Sequence, residues 1–462
     1  MAIRSIKVLL SLCVVFLMSC KHDIYQAPPQ NTKLLGKITS LQLPQLFLKG
    51  IDSREIAVKS SGDFDVTFPL TYSGIYTFGD GENSINVFIK PGDSISIVGD
   101  TRALQSKVMF KGSNEMENNF LLLFAQSKDE ILKQDFFSLY AMPYDSFTLI
   151  ADERDDALTE KVQGFQKKNG TFNEVFSGLL MKDIAFENAK LRLSYPINKR
   201  IIMEDSLNLP ETYESFLQNL ELDNFENFLV PSFEECLLMY LDYRWLISND
   251  TVENRLLWKW EEISKEFSDA RVKDYLYHQI FNEAIDSDFE ALAALMPEYR
   301  DFQKNEQYLV SDQKKYNEIA HLLRGNQAPN IAYKDINGAS WDLNSYTDQY
   351  IYVDVWATWC APCVKEIPHL EKLKEAFTGK NIMFVSISLD DQQKVWKTFI
   401  QQKKLGGIQL LAPEAWDARI VKDYSIQSIP RFIIIGPSGK IINANAPRPS
   451  DARIKKILES YL

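Results

Sequence analysis

The chain has 462 residues, of which 45% are hydrophobic and 25% charged. This composition is typical of globular domains and excludes a disordered, collagen-like or multi-span membrane protein. The net charge of −12 argues against nucleic acid as the main partner. Residues 326–462 carry +3 (17 basic, 14 acidic), so the remainder carries −15. The length predicts two to four domains at about 100–200 residues each, and the charge asymmetry predicts a separate acidic module in the first two thirds.

Residues 1–19 have the pattern of an export signal. Two basic residues, Arg4 and Lys7, precede an apolar run at 8–18 that is too short to span a bilayer. The run ends in Leu-Met-Ser-Cys, which resembles the lipobox of bacterial lipoproteins. That resemblance implies cleavage before Cys20, lipid on this cysteine, and a periplasmic protein anchored to a membrane of the cell envelope. The polar, proline-containing residues 20–30 are interpreted as a tether.

Residues 31–112 carry the alternation of apolar and polar side chains that is typical of strands. Strands are predicted over residues 41–48, 63–68, 84–89 and 94–98, with a Lys-Pro-Gly-Asp turn before the last of them. We therefore predict a small antiparallel β-sandwich.

Residues 113–323 change to helical spacing of the apolar residues, which predicts a helical domain of about eight to ten helices. Its many aromatic residues are interpreted as core, with a peptide- or substrate-binding groove between helices as the alternative. Cys236 lies in an amphipathic pattern, where a buried inert thiol is favoured over a third redox partner.

After a turn-rich segment at 324–330, strand and helix patterns alternate, which predicts a mixed α/β domain over 326–462. The apolar run at 350–356 predicts a strand that is buried on both faces. It leads into Cys360-Ala-Pro-Cys363 and then an amphipathic helix. A disulfide between cysteines so close in sequence stabilises little, so its value is chemical. The start of a helix favours the thiolate, which is the nucleophilic form of cysteine.

The segment Val-Asp-Val-Trp-Ala-Thr-Trp-Cys-Ala-Pro-Cys at 353–363, with Glu366 and Pro368 after it, resembles the thioredoxin superfamily. Its form is most similar to the membrane-anchored TlpA/ResA-type thiol–disulfide oxidoreductases. The resemblance implies a central mixed sheet flanked by helices over 326–462. Residues 31–112, through Phe-Ile-Lys-Pro-Gly-Asp at 88–93, resemble the β-rich domain that precedes such domains in exported lipoproteins.

The resemblance also implies roles for individual residues. Cys360 matches the exposed nucleophile, and Cys363 matches the buried resolving thiol of the same redox disulfide. Asp354 matches the buried acid that relays a proton to or from Cys363, where many lipoprotein relatives have Asn. Glu366 matches the acid three residues after the second cysteine in ResA-type proteins, with an exposed helix position as the alternative.

Three further residues are implied in substrate contact. Trp359 shapes the contact surface, and Pro430 matches the proline with a cis peptide bond that faces the disulfide. Because proline has no N–H and the cis bond turns the chain, the backbone of Ile429 is left to pair with an extended substrate.

We therefore predict a protein-disulfide oxidoreductase that reduces disulfides of exported proteins, with apocytochrome c as a client by analogy. It needs an upstream membrane thiol reductase as electron donor and no metal or organic cofactor. Peroxidase chemistry is disfavoured because Ala357 and Val353 stand where peroxiredoxins have Thr and Pro. The alternative is a ligand- or partner-binding lipoprotein whose thioredoxin-like domain is accessory.

Overall fold

The computed structural model describes residues 25–42, 44–131, 135–203, 209–248, 254–346 and 348–462. The predicted signal peptide and Cys20 lie outside the described residues. The chain divides into two compact units, Met1–Tyr243 and Arg244–Leu462. This division falls inside the region predicted as one helical domain, so the helices of 113–323 are shared between the units.

The first unit opens with two four-stranded sheets, ordered β4-β1-β7-β8 and β3-β2-β5-β6. Side chains from both sheets, including Leu34, Phe78 and Ile97, form one buried apolar cluster. The alternation of apolar and polar residues thus buries one face of each sheet, as a β-sandwich requires. The strands are β1 Gln26–Thr39, β2 Gln45–Lys49, β3 Arg54–Ala57, β4 Asp63–Tyr72, β5 Gly74–Gly79, β6 Ser84–Ile89, β7 Ser94–Asp100 and β8 Met109–Gly112.

This sandwich differs from the sequence prediction in two respects. Residues 26–30, predicted as tether, begin β1, where Gln26 pairs with Tyr72 and Gln30 with Leu70 of β4. Two prolines fall at the register shift between these pairs, where no ladder hydrogen bond from proline is needed. In addition, β1 runs parallel to β7, so the first sheet is mixed rather than purely antiparallel.

Helices complete the first unit. They are α1 Leu104–Lys107, α2 Glu115–Ile131, α3 Phe136–Ala141, α4 Tyr144–Asn169, α5 Glu174–Met203 and α6 Ser232–Ile247, the last of which runs on into the second unit. Cys236 is buried on α6, and burial raises the pKa of its thiol to about 12. It is therefore protonated and shielded from solvent, in agreement with the inert-thiol interpretation.

The second unit begins with four more helices: α7 Arg255–Glu266, α8 Ala270–Ser287, α9 Phe289–Phe302 and α10 Glu306–Ile319. Within 113–323, the described residues thus hold nine α-helices, within the predicted range. None of the helices in the described ranges is long and apolar enough to cross a membrane.

The rest of the second unit has a thioredoxin-like architecture, as predicted. Seven strands form a mixed sheet in the order β10-β9-β13-β12-β11-β14-β15, with helices packed against it. The elements are β9 Ala332–Asp335, β10 Ser340–Asp342, β11 Tyr350–Trp356, α11 Ala361–Ala376, β12 Ile382–Ser388, α12 Gln393–Lys403, β13 Ile408–Leu411, α13 Arg419–Asp423, β14 Arg431–Gly436, β15 Lys440–Asn443 and α14 Ala452–Glu459.

The buried strand β11 positions the site. It runs parallel to β12 and antiparallel to β14. Because side chains alternate along a strand, Tyr352, Asp354 and Trp356 share one face. Tyr352 packs with Leu370 of α11, and Trp356 packs in the same cluster as both cysteines of the CxxC segment. Asp354 therefore lies between two apolar clusters, on the face of the sheet that α11 covers.

Candidate active site

The two cysteines stand at the junction of β11 and α11. Cys360 is the N-cap of the helix, and it is disulfide-bonded to Cys363. The backbone N–H of Cys363 donates to Sγ of Cys360 at 3.2 Å. In the reduced protein, the same N–H and the helix dipole would stabilise a Cys360 thiolate.

Both cysteines are nearly buried, with exposed fractions of 5% for Cys360 and 3% for Cys363. The expectation of an exposed Cys360 is therefore not met in this disulfide form. The reason is packing, since the pair lies in an apolar cluster that also contains Trp356, Trp396 and Ile429.

The peptide bond between Ile429 and Pro430 is cis, in line with the family pattern. The carbonyl oxygen of Ile429 lies 3.7 Å from Sγ of Cys360. Among the described residues, the N–H of Ile429 donates to no backbone carbonyl. The structure thus brings Ile429 and Pro430 to the disulfide with one backbone donor unused.

Asp354 is buried on β11, two residues before Trp356, which packs in the same apolar cluster as the cysteine pair. The pKa of its carboxyl is raised to about 7, mainly by burial and to a smaller extent by the negative charge of Glu366. The positive charge of Lys374 and a hydrogen bond from Ser386 act in the opposite direction. Ser386 is the register partner of Asp354 on β12. This carboxyl can therefore gain or lose a proton near neutral pH.

Glu366 lies on α11, one turn after Cys363, and its side chain is buried. Its carboxylate accepts hydrogen bonds from the backbone N–H of Ser450 at 3.0 Å and from the Ser450 hydroxyl at 2.7 Å. The position is therefore not that of an exposed helix residue. It ties α11 to the turn that precedes α14.

Asp390 is a residue of the site that the sequence analysis did not identify. It is buried just after β12 and accepts hydrogen bonds from the backbone N–H of Thr358 at 3.0 Å and from the Thr358 hydroxyl at 2.6 Å. Ser388 donates to the same carboxylate at 2.5 Å. These bonds fix the loop that carries Trp359, which is itself 55% exposed. One signal was available, since the carboxyl ends of parallel neighbouring strands meet at one edge of the sheet.

No cluster of three or more His, Cys, Asp or Glu that could bind a metal occurs in the described ranges. The site thus presents a dithiol/disulfide pair, a buried acid that titrates near pH 7, and a backbone edge at a cis proline. This arrangement suits thiol–disulfide exchange, which needs a nucleophilic thiolate, an attacking second thiol and a proton acceptor.

Comparisons with known proteins agree with this chemistry. The AhpC/TSA family matches residues 324–444. The thiol-disulfide oxidoreductase ResA of Bacillus thuringiensis subsp. konkukian is 28% identical over 140 residues, which are 30% of this chain and 76% of ResA. A crystal structure of a putative thiol-disulfide oxidoreductase from Bacteroides vulgatus is 34% identical, and the match covers 31% of this chain and 99% of that one, with a TM-score of 0.29.

The chain belongs to the ResA-like thiol-disulfide oxidoreductases of the thioredoxin superfamily. A solution structure of a second putative oxidoreductase from Bacteroides vulgatus is 44% identical over 29% of this chain and 84% of its own, with a TM-score of 0.26. Each of the three matches covers less than a third of this chain. The predicted oxidoreductase activity is confirmed at the level of thiol–disulfide exchange.

Proposed function

We propose that this protein is a lipid-anchored periplasmic reductase of disulfides in exported proteins, with apocytochrome c among its clients. The observation that carries the proposal is the position of Asp354. A carboxyl with a pKa of about 7 lies under α11, on the face of β11 that packs against the cysteine pair. Such a group can accept a proton from one thiol and return it at the pH of the cell envelope.

In the first step, the Cys360 thiolate attacks one sulfur of a client disulfide. The client S–S bond breaks, a mixed disulfide with Cys360 forms, and the released client thiolate takes a proton. The positive end of the α11 dipole stabilises the negative charge of the Cys360 thiolate. The unused N–H of Ile429 hydrogen-bonds a backbone carbonyl of the client segment.

In the second step, Asp354 accepts the proton of the Cys363 thiol, directly or through a water. The Cys363 thiolate then attacks Sγ of Cys360, so the mixed disulfide breaks and the Cys360–Cys363 disulfide forms. The released client thiolate takes the proton back from Asp354, and the client leaves with its second thiol. Two electrons and two protons have passed to the client, and a membrane dithiol reductase restores the pair.

The location rests on the sequence before Gln26. A basic start, a short apolar run and Leu-Met-Ser-Cys20 have the order of a lipoprotein signal. A Cys20→Ser variant should lose lipid labelling and leave the membrane fraction, whereas a Cys13→Ser variant should keep both. Retention of Cys20→Ser in the lipid-labelled fraction would contradict the anchor.

The direction of electron flow is tested by the reduction potential of the Cys360/Cys363 pair. The purified protein is equilibrated with defined thiol buffers, with Cys363→Ser as the control that cannot form the pair. A reductase is expected near the thioredoxin value of about −270 mV. A value near about −120 mV, that of a strong oxidant, would contradict the proposed direction.

A further inference from the structure

Two tryptophans form an exposed pair next to the disulfide. The chain has eight tryptophans, all within the described ranges. Only Trp359 and Trp416 are exposed, with exposed fractions of 55% and 43%. Their ring centroids are 6.4 Å apart and their planes are tilted by 44°. Trp359 immediately precedes Cys360, so this apolar surface borders the reacting sulfur.

The loop under Trp359 is fixed from below. Leu389 donates its backbone N–H to the carbonyl of Trp356 at 2.8 Å, which extends the pairing of β11 with β12 beyond the last strand residue. Two hydrogen bonds to the buried carboxylate of Asp390 then hold Thr358, the residue directly before Trp359. These bonds fix the backbone on the N-terminal side of Trp359.

The loop under Trp416 is fixed to the same end of β12. Ala412 donates its backbone N–H to the carbonyl of Ser388 at 2.9 Å. Trp416 then sits in a single 3₁₀ turn, closed by the N–H of Asp417 donating to Glu414 at 2.9 Å and the N–H of Ala418 to Ala415 at 3.2 Å. Segments 57 residues apart in sequence therefore bring their tryptophans together through one strand end.

A solitary exposed apolar side chain needs no explanation, but two large rings held in contact by fixed loops do. Tryptophan is the residue type most enriched at binding hot spots, because it offers a large apolar area at small cost in side-chain entropy. Beside Trp416 in sequence, Asp417 is paired with Lys422 at 3.1 Å. The surface is therefore suited to an apolar side chain.

We propose that Trp359 and Trp416 together form a client-binding surface that selects an aromatic or aliphatic side chain next to the cysteine of the client disulfide. The proposal rests on the reduction of polypeptide disulfides described above and adds a sequence preference to it. Trp416 is the specificity-determining residue, since it lies outside the CxxC segment and takes no part in the exchange of electrons.

The test uses the full chain and three cyclic peptide disulfides that differ only in the residue beside one cysteine: Phe, Gly or Arg. The wild type is expected to reduce the Phe peptide with a kcat/KM about tenfold above that of the Gly peptide. Trp416→Ala should bring this ratio close to one, whereas Trp416→Phe should keep most of it. Val395→Ala, which removes another exposed apolar side chain of this unit, is the matched control and should leave the ratio unchanged.

A second measurement does not depend on a variant that folds. A non-reactive form of the Phe peptide, in which serine replaces both cysteines, is titrated into the wild-type chain. The indole N–H signals are followed by NMR. Shifts are expected for Trp359 and Trp416 and not for buried Trp356 and Trp396.

Three results would overturn the proposal: no preference for Phe over Gly in the wild type, an unchanged preference in folded Trp416→Ala, or a preference for Arg over Phe. Absence of indole shifts at the pair would do the same. Failure of the proposed function has a different signature, because then none of the three peptides, the Gly peptide included, would be reduced.

Discussion

Asp354 is a carboxyl whose protonation is coupled to the stability of the whole fold. Its pKa is about 7 in the folded protein, against 3.8 for an ordinary Asp side chain, because burial penalises the charged form. Between these two values the folded state binds a proton that the unfolded state has lost. The stability of the oxidised protein should therefore fall as the pH rises from about 4 to 7.

Replacement of this residue should remove that dependence. In Asp354→Asn, the free energy of unfolding should exceed that of the wild type above pH 7 by up to about 4 kcal/mol, and the difference should vanish near pH 3. Urea unfolding of both oxidised proteins across this pH range measures it. A difference that does not change with pH would mean that the pKa of Asp354 is the same in the folded and unfolded states.

The same variant should be slow in exchange. If Asp354 takes the proton of Cys363, the rate of mixed-disulfide resolution should rise with pH through about 7 in the wild type. In Asp354→Asn this rise should be absent and the rate lower by about 100-fold. Ser386→Ala removes a hydrogen bond that lowers the pKa of Asp354, so its midpoint should move to higher pH. Stopped-flow resolution of a preformed mixed disulfide gives all three profiles.

Glu366 should be a structural contributor at least as much as a chemical one. Glu366→Ala leaves the backbone N–H and the hydroxyl of Ser450 without their acceptor, which should cost about 1–3 kcal/mol of unfolding free energy. Lys365→Ala, at an exposed position of the same helix, should cost less than about 0.5 kcal/mol. Equal losses in the two variants would argue against the contact with Ser450.

Individual residues were predictable to different degrees. The CxxC pair, Asp354 and Pro430 follow a local pattern, so the sequence points to them directly. Asp390 and Trp416 lie 30 and 56 residues after Cys360 and reach the site only through the pairing of β12 with its neighbours. Their roles depend on three-dimensional contacts that no short motif encodes.

At the scale of elements, the end of β12 organises the site. It contacts the loop of Trp359 through Asp390 and the loop of Trp416 through Ser388. Asp390→Ala would leave several buried donors unsatisfied, which should lower the free energy of unfolding by about 3 kcal/mol. Asp391→Ala is the exposed neighbour and the natural control. Guanidinium unfolding of both variants measures the difference. Wild-type stability in Asp390→Ala would contradict the prediction.

Element prediction succeeded where periodicity is strong and failed where it is short. Strand β6 was predicted with its observed bounds, and β4 and β7 were predicted shorter than they are. Strands β1, β3, β5 and β8 of the sandwich were not predicted. Strands β3, β5 and β8 have only four to six residues and give little alternation to detect, and β1 begins in the proline-containing segment that was interpreted as a tether. The parallel pairing of β1 with β7 joins segments about 60 residues apart, so no hairpin signal exists for it.

At the scale of the molecule, the second unit combines the thioredoxin-like fold with the helices before it. Asn445 donates to the carbonyl of Ser287 on α8 at 2.7 Å. Arg431 is buried, with its guanidinium 5.9 Å from the ring centroid of Phe289 on α9. The pKa of Arg431 is lowered to about 10 because the effect of burial exceeds the opposing effect of the negative charge of Asp286. These helices thus stabilise a buried charge of the catalytic domain.

A shortened chain tests this coupling. A fragment of residues 324–462 should fold, because the two apolar clusters around β11 consist of its own residues. It should be less stable than residues 244–462 by about 2–3 kcal/mol, since Asn445 and Arg431 lose partners. Its reduction potential should equal that of the longer fragment, because the cluster around the disulfide is unchanged. Thermal unfolding and redox titration of both fragments check the two statements separately.

The buried thiol of Cys236 gives the first unit an internal reporter. In the reduced, folded protein at neutral pH, a maleimide should modify the nucleophilic Cys360 and leave Cys236 unlabelled, because the Cys236 thiol is enclosed and protonated. Opening of α6 would expose it. The mass of the labelled product would then distinguish a chain whose first unit is intact from one in which only the catalytic domain has survived.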